Sequence, residues 1–159
     1  MNLSSQLRSQ HARILLMLAE IEQILEAPNH GLDANDLHLK VCHLMRWVMV
    51  HLEFETTEVY PCLQRAHGHA PQRSLAHDGE QRDCWLIGEE IAEILPVLSD
   101  YESRFGEKQA IVGSPDEFIR ATHDVSRRLR ERIGREKTLI YPLADRLRIS
   151  IGRPPQRYN

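Results

Sequence analysis

The chain has 159 residues, 42% of them hydrophobic and 27% charged, which suits one domain with a core that needs no disulfides. A formal net charge of −3 excludes a general electrostatic attraction to nucleic acid or to an anionic membrane surface. No apolar run approaches the length needed to span a bilayer.

Apolar residues recur at helical spacing in four blocks, and no block shows sustained alternation. Helix 1 is expected from about Ser5 to Glu26, with Leu7, Ile14, Leu18, Ile21 and Leu25 on one side, and "APNHGLDAND" ends it with Pro28 and Gly31. Helix 2 is expected from Asp36 to Arg65, carrying Leu37, Val41, Leu44, Val48, Val59 and Cys62 inward. After "AHGHAPQRS", helix 3 covers Ser74 to Arg104 with Cys84, Ile91, Ile94 and Leu98 inward, and Pro96 is expected to kink it. "GEKQAIVGSPDE" closes that block. Ser114 then reads as an N-cap, Pro115 as the first helical residue and Glu117 as the partner in a capping box. Helix 4 follows to Ile149, with Phe118, Val125, Leu129, Leu139 and Leu143 inward. Four long helices with short connectors predict an all-α, up-down-up-down four-helix bundle over residues 1–150, with a loose tail over 151–159.

"ETTEVYPCLQR" at 55–65 returns as "EKTLIYPLADR" at 136–146, a constant offset of 81 that pairs Glu55 with Glu136, Tyr60 with Tyr141 and Pro61 with Pro142. The two prolines are expected to bend helices 2 and 4 at matching heights. The bundle then consists of two helical hairpins of similar design.

Polar residues interrupt each apolar stripe. The series 7, 11, 14, 18 puts His11 in the core, and 44, 48, 51, 55, 59 puts His51 and Glu55 there. Helix 3 begins its stripe at His77 and continues through Glu80 or Gln81 to Cys84, while 125, 129, 132, 136, 139 turns Arg132 and Glu136 inward. An unpaired carboxylate taken from water costs several kcal/mol, so a core with two needs a compensating partner, and a bound cation between them is one solution. His51 and Glu55 lie one helical turn apart and point the same way, so they can share an ion. Nine histidines is also high for this length, and imidazole with carboxylate from facing helices is the usual ligand set of iron sites in bundles.

His11 in "SQHARI", His51 and Glu55 in "HLEFETTEVYP", His77 in "LAHDGE" and Glu136 in "REKTLIYP" together resemble the hemerythrin-like (HHE cation-binding) family over about residues 5–148. The resemblance implies a four-helix bundle binding non-haem iron, with His11, His51, Glu55, His77 and Glu136 as metal ligands. It implies binding or sensing of oxygen, nitric oxide or redox state. In that family the helix 1 and helix 2 histidines serve one iron, those of helices 3 and 4 the other, and the two carboxylates bridge. One position departs from the pattern: the counterpart of His51 at the offset of 81 is Arg132, which cannot lose its proton and so cannot bind metal. A guanidinium about 6 Å from a divalent ion repels it by roughly 5 kcal/mol at a dielectric of 20. One ion is therefore expected rather than two, unless Glu80 or Glu131 supplies a further ligand by rotating off its stripe.

The competing class is a metal-free bundle acting through protein contacts, with Arg132 paired to Glu55 and Glu136. An oxidase-like enzyme is a third class, but no nucleophile constellation or separate substrate pocket is apparent for it. His67 and His69 read as solvent-facing, His43 as flanking the core, and His123 as half a turn out of phase with the site. The arginines of "SRRLRERIGRE" are interleaved with Asp124, Glu131 and Glu136 and read as a solvated helix face. Tyr60 and Tyr141 have two readings, lining the site or packing beside it. Cys42, Cys62 and Cys84 are odd in number and lie in helical patterns, which argues against a disulfide framework. The start "MNLSSQLRSQHARILLMLAE" lacks the segments of a signal peptide, and the expected compartment is the cytoplasm.

Overall fold

Asn2 opens the first helix, its side-chain oxygen accepting the Ser4 backbone N–H at 3.1 Å, and α1 runs Leu3–Glu26. This computed structural model describes residues 2–26, 33–68 and 75–147, leaving out the side chains of 66–68, 75–78, 80, 81, 83 and 84. The expected tail over 151–159 and the side chains of His67, His69, His77, Glu80 and Cys84 lie outside the described residues. Asp33 caps the second helix by accepting the Asn35 and Asp36 N–H groups at 3.0 and 3.2 Å, so α2 (Ala34–Phe54) starts slightly earlier than the apolar stripe indicated. A π-helical turn follows over Glu55–Val59, then α3 (Tyr60–Gly68), α4 (Leu75–Phe105), α5 (Lys108–Gly113) and α6 (Pro115–Arg146). Among the described residues no helix is long and apolar enough to cross a membrane.

α1 packs on α2 and α6, α6 on α4, and α4 on α2 and α3. That ring of neighbours in chain order is the up-down-up-down bundle. The apolar pattern explains why. The buried residues Leu7, Ile14, Leu18 and Ile21 make one side of α1, and Leu37, Val41, Leu44 and Val48 make one side of α2. Each stripe needs a facing stripe to leave water.

Several expectations need correction. "GEKQAIVGSPDE" is not a bare connector but contains α5, because Ile111 is buried against α2, α4 and α6. Ser114 precedes α6, but its side chain makes no capping bond, and Glu117 pairs instead with Arg104 of α4. Leu139 is 36% exposed while Ile140 and Leu143 are buried, so the inward series of α6 moves to 136, 140, 143 below the site. Leu25 and Cys62 are only half-buried, and His43 is exposed rather than flanking the core. The two Tyr-Pro segments also differ in backbone. Pro142 lies inside a continuous α6, whereas Pro61 follows the π turn, in which the Tyr60 N–H reaches the Glu55 carbonyl. Pro61 has no N–H to give and its ring crowds the Thr57 carbonyl; widening the preceding turn is one way to relieve it.

The apolar core is split in two. One cluster, including Ile14, Val48, Ile91, Phe118 and Leu129, fills one end of the bundle. A second, including Leu7, Val59, Ile87, Ile140 and Leu143, fills the other. Along α1, α2 and α6 the residues between these clusters are His11, His51 with Glu55, and Arg132 with Glu136.

Candidate metal centre

Five polar side chains form the layer between the two apolar clusters, and none is more than 4% exposed at its side chain. His11 Nε2 lies 3.0 Å from Glu136 Oε2 and 3.1 Å from His51 Nε2. His51 Nε2 lies 3.1 Å from Glu55 Oε1 and 3.9 Å from Glu136 Oε2. One atom from each of His11, His51, Glu55 and Glu136 lies within 4.8 Å of all the others. Ligands about 2.1 Å from one ion are at most about 4.2 Å apart, so the widest pair would have to close by roughly 0.6 Å or more to share it.

The far sides of these groups are also occupied. The Nδ1 of His11 meets the Tyr141 hydroxyl, and the Nδ1 of His51 donates to Gln10 Oε1 at 2.9 Å. Arg132 donates from Nη2 to Glu55 Oε2 at 2.6 Å, and its Nε lies 3.0 Å from Glu136 Oε1. Its Nη1 donates to the Ile87 carbonyl at 3.0 Å, and Nη2 also reaches the Tyr60 hydroxyl at 3.2 Å. Each carboxylate therefore divides its oxygens. One oxygen faces the histidine nitrogens and the other faces the guanidinium.

The polar demand of the layer is not met from within. Both Glu136 oxygens and Arg132 Nε lack a well-directed hydrogen bond; the 3.0 Å approach of Nε to Oε1 is an ion pair lying off the N–H direction. Burial, then the charge of Glu55, pushes the Glu136 carboxyl well above its usual range. Burial pushes Glu55 the same way, but the hydrogen bond and charge of His51 outweigh it and hold that carboxyl low. Burial, reinforced by His51, holds His11 down to about 3, so its ring is neutral with a lone pair to offer. Burial pulls Arg132 down, yet Glu55 and Glu136 more than compensate and hold it above its usual value. One guanidinium cannot balance two carboxylates, so Glu136 needs a proton or the layer needs a cation, and two imidazole nitrogens 3.1 Å apart need a proton or an ion between them. The donor set fits a metal.

The structure brings His11, His51, Glu55, Arg132 and Glu136 together in one layer. His77 is different: Ile87, which meets Arg132 through its carbonyl, stands ten residues further along α4 than position 77, about 15 Å of helix. The described α4 residues at the level of the site are Ile87, Gly88 beside the Tyr60 ring, and Glu90, whose Oε2 is 3.5 Å from Arg132 Nη1. Glu131 is exposed and pairs with Arg127, so it adds no ligand. Arg127, Arg128 and Arg130 are paired with Glu131, Asp124 and Glu22 on the surface, as the solvated-face reading expected. Periodicity missed Gln10 and Glu90, both only half-buried, because they flank the inward stripe rather than belong to it. A groove of about 260 Å³ between α4 and α6, lined by Glu90, Glu93, Arg128 and Arg135 among others, ends on Arg132.

An all-α bundle with a buried histidine and glutamate cluster between two apolar layers is the architecture of a cation-binding helical protein. The chain belongs to the hemerythrin family: the Hemerythrin HHE cation binding domain matches residues 2–144. No curated protein and no solved structure matches it.

Proposed function

We propose that the polar layer is a mononuclear non-haem iron site, with His11, His51, Glu55 and Glu136 as ligands and Arg132 in the place of a second ion. The observation that carries this reading is the division of each carboxylate between histidine nitrogens on one side and the guanidinium on the other. A carboxylate that would bridge two metals here bridges one metal position and one fixed positive charge. Bound iron supplies affinity for a small diatomic ligand, oxygen or nitric oxide, or a response to redox state. The chain's own groups do the rest. Glu55 and Glu136 balance the ion's charge, Arg132 holds their outer oxygens in place, and the two apolar clusters exclude bulk water. The proposed compartment is the cytoplasm, where a reducing environment suits ferrous iron and the free thiols of Cys42 and Cys62. The test is the visible spectrum of iron-loaded protein, which should change reversibly on exposure to oxygen or nitric oxide. A spectrum indifferent to both would remove the sensing function.

A second reading, a metal-free bundle working through protein contacts, draws support from the same ion pairs of Arg132 with Glu55 and Glu136. One guanidinium balances only one of two carboxylates, and the unbonded oxygens of Glu136 favour the metal-binding reading over it.

A further inference from the structure

We infer that Gln10 is a positioning residue that holds the proton of His51 on Nδ1, so that Nε2 keeps its lone pair for a metal; this rests on the proposed metal site. Gln10 precedes the ligand His11 on α1 and its side chain crosses to α2, where Oε1 meets His51 Nδ1 at 2.9 Å. An amide oxygen accepts and has no proton to give. The Nδ1 of His51 is therefore the donor, whether or not Nε2 also carries a proton.

The alternative tautomer has an attractive partner of its own. Glu55 Oε1 lies 3.1 Å from His51 Nε2 and would accept a proton held there. That tautomer satisfies the carboxylate but places a hydrogen where the ion must bind. Gln10 opposes it by rewarding Nδ1–H. The ring nitrogen distal to a metal is commonly fixed by such an acceptor, and losing it costs roughly ten- to a hundredfold in metal affinity. The partner of His11 is less decisive. Burial, then Glu136, pushes the Tyr141 hydroxyl up to about 12, so it stays protonated and can either donate to Nδ1 or accept from it. Gln10 is the only partner described at either Nδ1 that dictates a tautomer.

Two variants of the full chain separate this role from simple packing. Gln10→Leu keeps the approximate shape and removes the acceptor, and Gln10→Glu restores an acceptor. Zinc is the probe, with affinity measured by competition and the His51 ring nitrogens read by nitrogen-15 NMR in the metal-free protein. The parent should show a proton on Nδ1. Gln10→Leu should move it to Nε2 and weaken zinc binding by roughly ten- to a hundredfold, and Gln10→Glu should recover both readouts. The inference is overturned if Gln10→Leu keeps the Nδ1 proton and binds zinc within about threefold of the parent, short of that range, or if Gln10→Glu fails as Gln10→Leu does. Should the parent bind no zinc at all, the metal site itself is refuted. The NMR comparison then still decides whether Gln10 holds the proton.

Discussion

Replacing Arg132 by leucine should destabilise the metal-free protein by about 3–5 kcal/mol, the range for breaking a buried charge pair by removing one partner. The Arg132 side chain is 3% exposed and those of Glu55 and Glu136 1% each, so water cannot replace what is lost. Its bond to Glu55 Oε2 at 2.6 Å is charge-assisted, a class that contributes about 1.5–3 kcal/mol. The Ile87 carbonyl, accepting at 3.0 Å, would lose that donor, and Glu136 would lose its nearest positive charge. Urea unfolding followed by far-ultraviolet circular dichroism would measure the destabilisation, with an unchanged m-value marking a loss in the native state. A divalent metal should raise the stability of parent and variant alike, by about 2.7 kcal/mol at a hundred times the Kd. A loss below about 1 kcal/mol, well under the cost of a stranded buried charge, would mean that Arg132 does not balance these carboxylates.

Arg132→His should raise the metal bound per chain from one ion to two, measured by elemental analysis, since it removes the fixed charge and recreates the histidine-plus-glutamate pair of α2 on α6; an unchanged ratio would contradict the assignment. Glu55→Ala should abolish metal binding in an equilibrium titration, and full retention would take Glu55 out of the ligand set. His77→Ala should leave metal content unchanged, because position 77 lies about 15 Å along α4 from the level of the site; a lost ion would bring His77 back. Phe118→Ala should cost about 3–5 kcal/mol by urea unfolding, since Phe118 is fully buried against Tyr101 and Phe105.

The helices and the buried cluster could be read from periodicity because His11, His51, Glu55 and Glu136 each occupy a position where an apolar residue would otherwise stand. Arg132 stood out for the same reason, and its inward direction followed from the same stripe. The level of position 77 along α4 could not be read in the same way. A stripe fixes which side of a helix faces inward but not the height at which it meets its neighbours, and the level of α4 depends on connector lengths and on α5. Gln10 and the Ile87 carbonyl were out of reach altogether. Gln10 is half-buried beside the stripe, and a backbone carbonyl leaves no mark in the side-chain pattern. The π turn at Glu55–Val59 was hidden as well, since "ETTEVYP" and "EKTLIYP" differ only at two outward positions and at the buried pair Val59 and Ile140, yet only the first widens.

The most direct test of the central claim is the stoichiometry of anaerobic ferrous iron titration into metal-free protein, followed by equilibrium dialysis. The account predicts tight binding that saturates at one ion per chain, because Arg132 holds the second position. Saturation at two ions per chain, or no binding at all, would contradict it.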